Sequence, residues 1–262
     1  MPYAISQHHN QSFKICYEII GDSNKPPLIF AHGNGNCLDD WKILGFVERL
    51  SPYFQLILMD AIGYGKSDKP YDPQFYTSEG RAKNVIAVLD YLKIKQSHFY
   101  GNSIGGSLGF ALANLYPERF LSFSIGNAHC YGSTAPGSNL FPEDLRKYLI
   151  DNGIEELVKY LERTLNLRLL PGLRENFLQN DPLAIAAANT PEWPDYSGKF
   201  TQNKVPMLIF GGSKDGVIGL LKQSANIIPN SIFKEIPNKD HAQIYWESDI
   251  IAPLIINFIK EL

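Results

Sequence analysis

Phe99-Tyr100-Gly101-Asn102-Ser103-Ile104-Gly105-Gly106 is the stretch that decides how this chain folds. An apolar strand pattern ends at Tyr100, and a small-residue helical pattern follows from Gly105 to Tyr116. Between them stands Gly-x-Ser-x-Gly. A strand that turns at once into a helix forces the central residue into a strained backbone conformation. It also leaves no room for a side chain two positions away on either side, hence Gly101 and Gly105. Such a turn lifts the Ser103 hydroxyl above the sheet and sets its backbone at a helix N-terminus. Ser103 is the candidate nucleophile.

A serine hydroxyl is a poor nucleophile at neutral pH, so it requires a base within hydrogen-bond reach and an acid to orient that base. Active groups in an open parallel sheet sit at the carboxyl ends of strands. His241 is at such an end, in Ile236-Pro237-Asn238-Lys239-Asp240-His241, which reads as a polar loop after the last strand. Asp215 is at another, after Met207-Leu208-Ile209-Phe210-Gly211-Gly212-Ser213-Lys214. Asp240 and Asp249 are rival acids, but Asp240 adjoins the base, and adjacent loop side chains seldom face each other. A tetrahedral oxyanion needs backbone donors. Ile104, next to the nucleophile, supplies one. Asn34 supplies the other, from the glycine-rich loop after Leu28-Ile29-Phe30-Ala31. In that loop His32 reads as a packing residue. His8 and His9 lie in a polar N-terminal stretch and are expected to be solvated.

Outward from the elbow, strand patterns (Phe13 to Ile20, Leu28 to Ala31, Phe54 to Met59, Leu121 to Ile125) alternate with helical ones (Leu38 to Leu50, Thr77 to Leu92). This alternation predicts an α/β fold with a mostly parallel central sheet and helices on both faces. It breaks at about Tyr131. Up to Lys199 only helical patterns follow: Pro142 to Ile150, Ile154 to Leu165, Leu173 to Leu178 and Pro182 to Ala188. It then resumes with a strand at Met207, a helix near Leu220 to Ile227, a strand at Ile232 to Ile236 and a helix from about Ile250. The expected division is a core of residues 1–130 and 200–262 with a helical insertion at 131–199.

Composition is consistent with this. Hydrophobic residues are 44% of the 262 and charged residues 19%, enough for a sizeable core. A net charge of −3 without any basic run argues against nucleic acid and anionic membranes as partners. The longest apolar stretch, Ile250 to Ile259, is too short to span a bilayer, and the N-terminus lacks a signal-peptide pattern. Cys16, Cys37 and Cys130 are odd in number and widely spaced, which predicts buried free thiols and a cytoplasmic, reducing location. No metal-ligand spacing occurs. Gly33-Asn34-Gly35 lacks the third glycine of a dinucleotide fingerprint, where Leu38 stands. Gly65-Lys66-Ser67 lacks the first glycine of a P-loop, where Asp60 stands. No cofactor and no metal are expected.

Four signatures in order now coincide: His32-Gly33-Asn34-Gly35, Asp60-Ala61-Ile62-Gly63-Tyr64-Gly65-Lys66-Ser67, Gly101-Asn102-Ser103-Ile104-Gly105-Gly106, and Asp215 followed by His241. With them the chain resembles the α/β-hydrolase superfamily over nearly its whole length. The resemblance implies a serine hydrolase with the order Ser, Asp, His and a helical cap, 131–199, over the site. It implies cleavage of a small carboxylic ester or thioester through an acyl-enzyme. The partner is then a small-molecule ester, and the oligomeric state is left open. Two departures stand out. Asp240 precedes the histidine where many relatives have Gly. The Asn-Ser-x-Gly-Gly elbow resembles that of the carbon–carbon bond hydrolases of ring-cleavage products, yet Ala242 stands where those carry Trp. That activity is one alternative; a ligand receptor on a hydrolase scaffold with slow turnover is another.

Overall fold

The computed structural model describes residues 1–133, 135, 141–165 and 167–262. Thr134, residues 136–140 and Asn166, all within the expected cap, lie outside the described residues. Among the described residues eight strands form one sheet: β1 (Tyr3–His8), β2 (Gln11–Ile20), β3 (Pro27–Ala31), β4 (Gln55–Met59), β5 (Ser97–Asn102), β6 (Phe120–Gly126), β7 (Met207–Gly212) and β8 (Ser231–Ile236). Their order is β1-β2-β4-β3-β5-β6-β7-β8. β1 with β2 and β2 with β4 are antiparallel, and every other pair is parallel.

Strand side chains alternate between two buried layers, as a sheet covered on both faces requires. Ile29, Ile57, Phe99, Phe123 and Ile209 share one core with Val85, Leu89 and Phe110. Those partners come from α3 (Ser78–Tyr91) and α4 (Ile104–Leu115). Leu28, Phe30, Leu58, Tyr100 and Phe210 share the other with Trp41, Phe46, Ile251 and Phe258. Those partners come from α1 (Asp40–Ile43), α2 (Phe46–Leu50) and α10 (Ser248–Lys260). Both faces are apolar, so these strands read as continuous hydrophobic runs.

Between β6 and β7 the described residues hold α5 (Leu145–Thr164), α6 (Pro171–Leu178) and α7 (Pro182–Ala188), and no strand. α8 (Ile218–Ile227) follows β7, and α9 (His241–Trp246) follows β8.

Several local expectations are corrected. The helix expected over Leu38 to Leu50 is two helices, divided at Gly45 with φ 78°. The two helices expected over Pro142 to Leu165 form one element with a non-helical break at Gly153. The polar N-terminal stretch is strand β1, whose alternate residues face inward. His8 is consequently buried, and desolvation holds its pKa below the usual imidazole value. His9 is exposed. All three cysteines are free, with Cys16 and Cys130 buried and Cys37 half-buried. Burial pushes the Cys16 and Cys130 thiols up to about 11. No helix among the described residues is long and apolar enough to cross a membrane.

Candidate active site

Ser103 lies between β5 and α4 with φ 56° and ψ −120°, a combination that L side chains rarely adopt. The strain is held by close packing around it. A Cβ on Gly101 would overlap the carbonyl of Gly105, and one on Gly105 would overlap the carbonyl of Ala31. The Ser103 amide donates to Gly126 O on the neighbouring strand at 2.9 Å. Its hydroxyl therefore stands at the carboxyl edge of the sheet.

His241 and Asp215 converge on it from beyond the ends of β8 and β7. His241 Nε2 is 3.0 Å from Ser103 Oγ, and His241 Nδ1 is 2.8 Å from Asp215 Oδ2. Asp215 is 5% exposed, and its other carboxylate oxygen accepts the Val217 amide at 3.1 Å. Both acceptor oxygens of a buried carboxylate are thus used, which fixes its plane relative to the imidazole.

His241 is not in a loop as expected, but is the first residue of α9. Asp240 is the N-cap: Oδ1 accepts the amides of Ala242 and Gln243 at 3.0 and 2.8 Å. Gln243 Oε1 returns the interaction to the Asp240 amide at 3.1 Å. This Asp-x-x-Gln capping box was present in the sequence as a helix-start signal. The Asp240 carboxylate is engaged with its own helix, and the other rival, Asp249, pairs with Arg49.

Asn127, which the sequence reading passed over, completes the support. It sits just past β6 with φ 51°, its amide donates to Phe210 O at 2.9 Å, and its Nδ2 donates to His241 O at 2.8 Å. Its position one residue beyond a strand end was the only signal available.

Asn34 and Ile104 line the same cavity as Ser103. Ile104 opens α4, so its amide has no acceptor within the helix. His32 is a packing residue by its bonding. The Ala61 amide donates to His32 Nε2 at 3.0 Å, which leaves the proton on Nδ1, 2.8 Å from Gly33 O. Burial lowers its pKa and keeps the ring neutral. Asp60 is also structural: it accepts the Leu38 and Lys66 amides at 2.7 and 2.8 Å.

The cavity has a volume of about 540 Å³. Besides the groups above it is lined by His129, Leu145, Trp193 and Thr190 from the β6–β7 segment. Apart from Asp215, its charged lining side chains among the described residues are Glu143, Glu192, Asp240 and one cation, Lys214; no arginine lines it.

The family model for the alpha/beta hydrolase fold matches residues 26–152. This chain has the α/β-hydrolase fold. Among its relatives, a poly(3-hydroxyalkanoate) depolymerase of Ectopseudomonas oleovorans is 26% identical over 92% of this chain and 87% of its own. A 2-hydroxy-6-oxononadienedioate/2-hydroxy-6-oxononatrienedioate hydrolase of Paraburkholderia phymatum is 29% identical over 91% of this chain and 88% of its own. The crystal structure of an α/β-hydrolase, the enol-lactonase of Burkholderia xenovorans LB400, superposes with a TM-score of 0.82 at 23% identity, covering 99% of this chain and 100% of the other.

Proposed function

We propose that this α/β-hydrolase cleaves a small carboxylic ester or thioester through an acyl-enzyme at Ser103. The observation that carries the reading is the unbroken hydrogen-bonded line from Ser103 Oγ through His241 to Asp215, at 3.0 and 2.8 Å. Ser103 Oγ attacks the acyl carbon while His241 Nε2 takes its proton. The carbonyl electrons pass to oxygen, where the Asn34 and Ile104 amides receive the charge. Collapse expels the alcohol or thiol, which takes the proton from His241. Water then attacks the acyl-enzyme with the same base and releases the acid. Asp215 holds the Nδ1–H tautomer and stabilises the imidazolium. Residues 131–199 act in this reading as a cap that walls the cavity and excludes water.

The alternative is carbon–carbon cleavage of a ring-cleavage product; the Paraburkholderia relative is named as the hydrolase of a dienedioate. Such a substrate is a dianion. Besides Asp215, the charges at this cavity among the described residues are Glu143, Glu192 and Asp240 against Lys214, which disfavours a second carboxylate and favours a neutral acyl chain. The enol-lactonase neighbour, whose named substrate is a cyclic ester, is in keeping with the ester reading.

The test is steady-state hydrolysis of p-nitrophenyl acetate and butyrate. Sustained turnover that is lost in Ser103→Ala supports the enzyme. A single burst equal to the enzyme concentration, without turnover, supports a receptor with residual chemistry. No release of either kind overturns the reading.

A further inference from the structure

We propose that Asn189, on the cap, is a positioning residue for the Asn34 amide, so that the cap holds one half of the oxyanion site in place. The proposal rests on the serine-hydrolase reading above and adds a structural cause for its preorganisation.

The Asn34 carboxamide is engaged at both ends. Its Oδ1 accepts the Tyr64 hydroxyl at 2.5 Å, and its Nδ2 donates to Asn189 Oδ1 in a short contact. Asn189 is the C-cap of α7 and is itself fixed, with Nδ2 donating to Ile185 O at 2.8 Å. The end of α7 is anchored in turn by Arg81, a guanidinium only 4% exposed. Its Nη2 donates to Ala188 O at 2.7 Å and its Nε to Tyr76 O at 2.9 Å. Carbonyls at a helix C-terminus lack intrahelical donors and carry partial negative charge, so they suit a buried cation. Arg81 also packs over the Trp193 ring, 5.8 Å from its centroid, at the cavity wall.

The next residue is gripped by a second cap helix. Asn180 Nδ2 donates to Gly35 O at 2.7 Å, and Phe177 of α6 lies where a Cβ of Gly35 would stand. Asn176 reaches Asp40 Oδ1 at 2.6 Å. The Asn34 side chain and the Gly35 carbonyl after it are therefore held by the cap, while Gly33 O, at the other end of the peptide that bears the Asn34 amide, is held by His32 Nδ1 at 2.8 Å; Ile104 depends on the elbow alone. An oxyanion donor helps only when it is already aimed at the developing charge. A loop free to rotate about the Asn34 backbone dihedrals would lose that benefit without losing substrate affinity.

The experiment compares wild type, Asn189→Ala, Asn34→Ala, the double variant and Tyr64→Phe, using p-nitrophenyl acetate and a methyl trifluoromethyl ketone that forms a tetrahedral adduct. Each single variant should lower kcat by roughly 10-fold with KM within about twofold, and should weaken ketone binding by the same roughly 10-fold factor. If Asn189 acts through Asn34, the double variant should match Asn34→Ala rather than fall by about 100-fold. Additive losses overturn the proposal. So does a change confined to KM or thermal stability with ketone affinity intact. Tyr64→Phe removes one hydroxyl and serves as the readout should Asn189→Ala fold poorly. A wild type that neither turns over the ester nor binds the ketone overturns the hydrolase reading and the proposal with it. Wild-type turnover with an unaffected Asn189→Ala overturns the proposal alone.

Discussion

Gly212 and Lys239 are in such close contact that a Cβ on the first would overlap the carbonyl oxygen of the second. The two loops they begin and end are stitched further by Lys214 N to Lys239 O at 2.9 Å, Ser213 N to Ile236 O at 2.9 Å and Asn238 N to Ser213 Oγ at 2.8 Å. Asp215 leaves one loop and His241 leaves the other. Their 2.8 Å hydrogen bond is set by this backbone seam.

Replacing Gly212 with Ala should force the seam apart and separate acid from base. The expected outcome is a fall in kcat of about 10²-fold or more, since misplacement by about 1 Å can cost that much. Steady-state kinetics on p-nitrophenyl acetate check it, with circular dichroism to show that the sheet persists.

Ser103→Ala should remove roughly 10⁴–10⁶ of kcat, because a triad acts as a unit. A fluorophosphonate should add one adduct to the wild type and none to the variant, by intact-mass measurement. Labelling at any other residue would discount the elbow serine as nucleophile.

Asn127 tests the support of the base. Asn127→Gly keeps the positive φ and deletes the hydrogen bond to His241 O together with the longer one, 3.4 Å, to Asn102 Oδ1. The expected result is kcat about 10-fold lower with KM little changed. Wild-type kinetics in that variant would show that α9 holds His241 unaided.

Charge at the cavity should be visible in acyl preference. p-Nitrophenyl butyrate is expected to exceed p-nitrophenyl hemisuccinate in kcat/KM by roughly 10-fold or more at low salt. The gap should shrink in 0.5 M salt and in Glu143→Gln/Glu192→Gln, because exposed charges act through screened fields. A preference for the carboxylated ester would favour the dianion chemistry instead.

His98 gives a pH signature on stability. Burial depresses its pKa from the ordinary 6.5 to about 4, and Nδ1 is 2.8 Å from Ser122 Oγ. Between those values the unfolded chain binds the proton and the folded chain does not. Stability is therefore full above about pH 6.5 and is lost as pH falls toward 4. The loss from this residue should reach about 2 kcal/mol by pH 5. Urea midpoints from pH 7 to 4.5 should drop, and His98→Gln should flatten part of the slope.

The elbow, the order of strands and helices, and the placing of Ser103, Asp215 and His241 beyond strand ends were legible because each follows from local chemistry. Apolar runs mark strands buried on both faces, and glycines mark enforced close approach. The β1 strand escaped notice because its alternation, with Ala4, Ser6 and His8 inward, uses small and polar residues that carry no hydrophobic signal. α9 escaped because its capping box begins at a residue examined only as a rival acid. Asn127, Tyr64, Arg81 and Asn189 were illegible for a different reason. Their partners lie 114, 30, 107 and 155 residues away, and a lone asparagine, tyrosine or arginine announces no such partner.

The segment bearing α5, α6 and α7 departs from β6 and returns to β7, two strands that already pair with each other. Topology alone would let a lineage exchange that segment freely, as a detachable module, to meet new substrates. The asparagines at 176, 180 and 189 set a limit on such exchange. A transplanted module lacking them would bring a new pocket while releasing the loop that carries Asn34. Divergence in what is recognised and persistence of how fast it reacts are therefore tied together in this chain, and descendants with altered selectivity should keep those three amides or replace them with groups that make equivalent hydrogen bonds.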